Sequence, residues 1–208
     1  MDGYKILSLN KQSIDIISEK YGEDYLKNIL SDFSCPLNSD VEKFLRTSAI
    51  VFAQQGIAQT HLVFASYKSE PVLCGYFTLT NKNFTVKKNF DISNSLRNRL
   101  KKFATYNNEL KNYVISAPLI AQIGKNFSND YNNLITGDEL LKIACDMVKS
   151  IQGIIGGKFV YLECEDKPKL TEFYEKNGFV NFGQRHLDKD EKDDLSGEYL
   201  IQLLKYLK

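Results

Sequence analysis

The segment from Tyr113 to about Lys149 limits the fold most. Its first part, YVISAPLIAQIG (113–124), is a continuous apolar run of strand type, with Pro118 marking a bulge or splay rather than an ordinary central ladder position. A polar loop, KNFSNDYNN, follows. Thr136-Gly137-Asp138-Glu139 then forms a capping box that opens an amphipathic helix through Leu140, Leu141, Ala144, Met147, Val148 and Ile151. A buried strand that turns through a polar loop into a capped helix belongs to a layered α/β protein.

The flanking segments fit that architecture. YKILSL (4–9) has strand character, and residues 12–33 place Ile14, Ile17, Tyr21, Tyr25 and Ile29 at helical spacing. Ser39 with Glu42 forms a second capping box, predicting a helix to about Gln55. HLVFASY (61–67) and VLCGYFTL (72–79) read as strands joined by a turn at Lys68–Pro71, and residues 93–103 as a short basic helix. KFVYLEC (158–164) is a strand. Pro168 starts a helix that ends at Asn177-Gly178, and 179–182 and 199–207 supply the last strands. No repeat or Gly/Ser/Pro-rich linker divides the 208 residues, so a single domain over 1–208 is expected.

Composition excludes several classes. Apolar residues make up 43% of the chain, which argues against disorder. Net charge is +1, so no global field draws the chain to nucleic acid or membrane. Charge is local instead. Seven basic residues lie between Lys82 and Lys102, and six acids between Asp188 and Glu198, a stretch expected to be a loop. The cysteines (35, 74, 145, 164) form no Cys-x-x-Cys pair and the two histidines lie far apart, so no zinc spacing exists and no metal is expected. The N-terminus has no signal-peptide pattern and no apolar run is long enough to span a membrane; a cytoplasmic protein with reduced thiols is expected. Walker, G-x-G-x-x-G, G-x-S-x-G and H-E-x-x-H motifs are missing.

Two places could carry chemistry. The helix start at Gly137 offers backbone N–H groups and a partial positive charge to an anion, although Asp138 and Glu139 already complement the dipole and a capping box consumes donors. In EFYEKNGF (172–179), Tyr174 is either a core aromatic above a glycine cap or a proton donor at the sheet's mouth. Cys164 and His61 read as structural.

FYEKNGF resembles the F-Y-E-x-x-G-F signature of the GNAT superfamily of N-acetyltransferases. LIAQIGKN followed by YNNLITGDELL resembles that superfamily's fourth strand and acetyl-CoA pyrophosphate loop, Q/R-x-x-G-x-G/A. Here Asn132 stands at the Gln/Arg position, Ile135 replaces the first glycine, Gly137 keeps the second, and the loop is about two residues longer. FSCPLNSDVEKFLRTSA, THLVFA and VLCGYFTLT resemble the acetyltransferase toxins of toxin–antitoxin pairs.

The resemblance implies a mixed, mostly antiparallel sheet with splayed central strands four and five, flanked by helices. It implies acetyl-CoA as co-substrate and direct acetyl transfer to a primary amine in a ternary complex. The backbone of Ile123, Gly124 and Lys125 would pair with the pantetheine arm, and the loop from Asn132 through Asn133, Leu134, Ile135 and Thr136 to Gly137 would hold the pyrophosphate. Tyr174 would be the general acid, with Glu163 or a water chain as base. Aminoacyl-tRNA is a candidate acceptor, with Arg97, Arg99, Lys101 and Lys102 as candidate phosphate contacts against a solvated helix face as the bland reading. An antitoxin partner and a homodimer are compatible with it. The rival reading is a non-catalytic binding module with a degenerate loop.

Overall fold

A computed structural model describes residues 3–87, 92–189 and 197–208. Its elements are β1 (Tyr4–Leu9), α1 (Lys11–Tyr21), α2 (Asp24–Ser31), α3 (Ser39–Thr47), α4 (Ala49–Gln55), β2 (Gln59–Tyr67), β3 (Glu70–Lys87), α5 (Asn94–Lys101), β4 (Thr105–Asn107), β5 (Asn112–Lys125), a 3-10 segment (Ser128–Leu134), α6 (Gly137–Ile155), β6 (Phe159–Glu165), α7 (Pro168–Lys176), β7 (Val180–His186) and β8 (Tyr199–Tyr206). The eight strands run β1-β2-β3-β5-β6-β8-β7, with β4 on β5. Pairing is antiparallel for β1–β2, β2–β3, β4–β5, β6–β8 and β7–β8. Between β5 and β6 it is parallel and holds two register pairs, Leu119↔Tyr161 and Ile120↔Leu162.

The chain divides into two compact units, residues 1–80 with 121–144 and residues 81–120 with 145–208. In the first, β1, β2 and the start of β3 form a meander. The tight β2–β3 turn places Lys68 and Ser69 at φ 51° and 68°, a left-handed pair that fits a hairpin's twist. Its core joins Leu9, Leu62 and Tyr76 from strands, Leu26, Leu30 and Leu45 from α2 and α3, and Phe33 from the segment between those helices. The buried Tyr76 hydroxyl donates to the Val41 carbonyl at 2.6 Å, so a polar group inside this core is satisfied. In the second unit, Phe84, Ile115, Phe159, Tyr161, Phe182 and Leu204 form the core, with Phe84 packed 4.6 Å from Tyr161 and 4.8 Å from Phe182.

Several helical expectations are corrected. The run 12–33 is two helices, because Gly22 at φ 93° ends α1. The run from Ser39 is also two, α3 and α4, separated at Ser48. The cap of α3 is Asn38, not Ser39: its Oδ1 accepts from the amides of Asp40 and Val41. Glu42 is therefore not a capping-box partner. Its Oε2 accepts from the Cys35 amide at 2.7 Å, and its other oxygen pairs with Arg46. β3 extends well past the expected Leu79. The acidic stretch lies largely outside the described residues (190–196), as do Lys88 and Asp91.

Gly124 is set by close approach. A Cβ there would lie 2.5 Å from Val41 Cγ1 of α3, while the Gly124 carbonyl sits where a Cβ on Gly75 would meet it at 3.0 Å. Any side chain at 124 forces Val41 of α3 to shift. Gly124→Ala is expected to destabilise the protein by about 1–3 kcal/mol. Combined with Val41→Ala, the loss should be smaller than the sum of the two single losses in denaturant unfolding. Strict additivity would contradict this packing.

Candidate functional site

The first candidate site is built on the end of β5. Ile123, Gly124 and Lys125 are half-buried, and the next residue, Asn126, is buried. Asn126 Oδ1 accepts from the amides of Ser34 and Ser128, each at 3.0 Å, and its Nδ2 donates to the Leu73 carbonyl at 2.9 Å. Its own amide donates to Cys74, and the Phe127 amide to Ser34. One side chain thus joins β3, the segment before α3 and the start of the loop. Ser128 Oγ adds a contact to the Asp32 carbonyl. Sequence reading missed Asn126, because nothing separates it from the polar loop residues that follow.

The loop is fixed at three further points. Lys125 Nζ donates to the Asn132 carbonyl at 3.0 Å. The Tyr4 hydroxyl donates to the Leu134 carbonyl at 3.1 Å. The Ile135 side chain is 2% exposed, in the core. The left-handed residues are Asn129 (φ 51°) and Asp130 (φ 59°), types that tolerate this conformation. Ile135 itself is extended (φ −147°, ψ 138°). A glycine is therefore not needed at 135, which explains the departure from the glycine-rich pattern.

The capping box at the start of α6 is present. Glu139 Oε2 accepts from the Thr136 amide and hydroxyl, both at 2.8 Å, and the Glu139 amide donates to Thr136 Oγ1 at 3.1 Å. These bonds hold the Glu139 carboxyl below its usual range, with the Thr136 amide the largest cause. The Thr136 amide is thus already committed, as a capping box at this position implies.

The second group lies on β6 and α7. Pro168 opens α7 and Gly178 (φ 82°) closes it, with the Phe179 amide donating to the Tyr174 carbonyl at 3.1 Å. Tyr174 is buried, its ring edge-on to Phe173 at 5.1 Å and to Phe179 at 5.9 Å. Burial first, and then the nearby Cys164, push the phenol's pKa well up, so it stays protonated at neutral pH. Burial likewise pushes the Cys164 thiol up to about 12, which removes a thiolate nucleophile. Glu163 has both oxygens engaged: Arg185 Nε at 2.7 Å on one and Gln202 Nε2 at 2.8 Å on the other. The carboxylate ties β6 to β8 and β7, a bracing position rather than an open one for a base. Sequence reading missed Arg185 and Gln202, whose meaning depends on register.

Of the basic group, Arg99, Lys101 and Lys102 are exposed on or just after α5, Arg97 is half-buried, and the Arg99 guanidinium lies 4.6 Å above the Tyr206 ring. Arg97 and Lys101 share a surface hollow with Lys87, Leu100 and Tyr113. His61 is buried against Phe77 and bonded through Nδ1 to Ser8 Oγ at 2.7 Å; burial pushes it down to about 4, so it is neutral. Among the described residues no helix is long and apolar enough to cross a membrane.

Asn126→Ala would leave the Ser34 and Ser128 amides and the Leu73 carbonyl without their partner. The expected loss is about 2–4 kcal/mol in denaturant unfolding, with faster amide exchange at Ser128. A loss under about 0.5 kcal/mol would contradict the role of this side chain.

No protein-family model matches the chain, and no curated protein sequence matches it. Solved structures do. A tyrosine-to-phenylalanine mutant of the AtaT toxin aligns over 99% of this chain and 91% of its own, at 17% identity and TM-score 0.60. AtaT complexed with acetyl-methionyl-tRNAfMet covers 95% and 93%, at 17% identity and TM-score 0.60. A tyrosine-to-phenylalanine mutant of KacT covers 97% and 94%, at 14% identity and TM-score 0.59. The chain therefore has the fold of the AtaT toxin and of KacT.

Proposed function

We propose that residues 1–208 act as one acetyl-CoA-dependent N-acetyltransferase domain, with aminoacyl-tRNA as acceptor. The observation that carries this is the parallel β5–β6 ladder, which holds two register pairs among the described residues, beside antiparallel β4–β5, β6–β8 and β7–β8 pairings. Past Ile120, the backbone of Ile123 to Lys125 would pair with the pantetheine arm. The loop from Asn132 to Gly137 would take the pyrophosphate. The donor set fits an anion in part: the loop carries backbone amides and the Lys125 ammonium, while the Thr136 amide is held by Glu139.

The acceptor nitrogen, neutral and held in line, attacks the thioester carbon. A backbone N–H stabilises the oxyanion, and positioning supplies much of the rate. When the C–S bond breaks, the sulfur takes a proton from the Tyr174 hydroxyl, and the phenolate regains one from water before the next turnover. The amine's proton leaves to water or to Glu163; the Arg185 and Gln202 contacts favour water. Structures of AtaT with acetyl-methionyl-tRNAfMet, and with acetyl-CoA and the antitoxin AtaR C-terminus, support this acceptor, donor and partner class. Arg97, Arg99, Lys101 and Lys102 would meet tRNA phosphates. We place the protein in the cytoplasm, where its four free cysteines stay reduced. A homodimer and an antitoxin partner belong to the same proposal.

The non-catalytic reading has one observation in its favour, the Thr136 amide held by Glu139. The test is transfer of labelled acetyl from acetyl-CoA to aminoacyl-tRNA. Tyr174→Phe should lower kcat by about 10²-fold or more, with acetyl-CoA affinity changed less than about twofold. Unchanged turnover would remove Tyr174 as the acid. Saturable acetyl-CoA binding without transfer would favour the binding module.

A further inference from the structure

Lys125 is the only Lys or Arg between positions 121 and 141, a stretch that also carries Asp130, Asp138 and Glu139. The segment proposed to take the pyrophosphate thus carries three acids and one base in its sequence. The loop position where the GNAT pattern carries Gln or Arg is the neutral Asn132. Lys125 Nζ reaches that residue, donating to its carbonyl at 3.0 Å and lying 5.9 Å over the Phe127 ring. Lys125 is half-buried, and among the described residues it has no carboxylate partner. An ammonium has three donors, and the carbonyl uses one.

We infer that the Lys125 side chain is the cation of the pyrophosphate site: it anchors the loop through Asn132 and keeps two donors for a phosphate oxygen of the acyl donor. The inference rests on the proposed acetyl-CoA reading and extends it. The sequence pattern gives residue 125 only a backbone role along the pantetheine arm, whereas here its side chain supplies the charge that Asn132 lacks. A half-buried ammonium is desolvated in part, so its bond to a phosphate is stronger than a surface lysine's.

Acetyl-CoA titrated calorimetrically at two salt concentrations tests this on full-length protein. Lys125→Met should weaken binding about tenfold at about 50 mM NaCl. The gap should shrink below about threefold at about 500 mM, where screening removes most of the Coulomb contribution. Lys125→Arg should stay within about threefold of wild type at both. A Met variant that binds like wild type at low salt would overturn the inference. So would a loss of the same factor at both salts, because a purely structural role through Asn132 is insensitive to screening. Wild type that binds no acetyl-CoA at either salt would sink the acetyltransferase reading itself, a distinct result. Thermal unfolding of both variants checks that they fold.

Discussion

The buried amide of Asn126 is the contact on which the first unit's candidate site depends. Its three hydrogen bonds reach Leu73, Ser34 and Ser128, which belong to three different parts of the chain. A buried amide left half-satisfied costs more than an apolar residue would, so the arrangement holds only when all three partners are in place. That requirement sets where β5 stops and where the loop begins. It also brings the segment before α3 to the strand, where Gly124 leaves room for Val41.

The loop keeps its shape without the glycine-rich pattern that its sequence resembles. Its two left-handed residues are Asn129 and Asp130, and Ile135 is extended, with its side chain in the core. Tyr4, Lys125 and the Thr136–Glu139 box pin it from three directions. The rigidity comes from side chains rather than from glycine turns. If the loop binds the proposed pyrophosphate, being preformed lowers the entropy lost on binding.

Much of this was legible in the residues. The apolar run ending at Gly124, the Thr136–Glu139 box and the Pro168-to-Gly178 helix each follow from local rules, and each stands where those rules put it. The Ser39 cap failed because Asn38, one residue earlier, competes for the same amides and wins. The helix breaks at Gly22 and Ser48 were hidden because apolar spacing continues across them. Asn126, Arg185 and Gln202 could not be found from spacing. Their roles come from strand register and long-range pairing, which local sequence does not encode.

In the proposed reaction the acid is the Tyr174 phenol. Tyr174 is protonated at neutral pH, as a donor to a leaving thiolate must be, and burial makes it a weaker acid than a free phenol. Glu163, braced by Arg185 and Gln202, contributes order to β6. The most direct measurement is calorimetric titration of the purified protein with acetyl-CoA. The account predicts saturable binding at one site per chain, abolished when a bulky residue replaces Gly137. No heat of binding at about millimolar ligand, where even a weak site would fill, would contradict it.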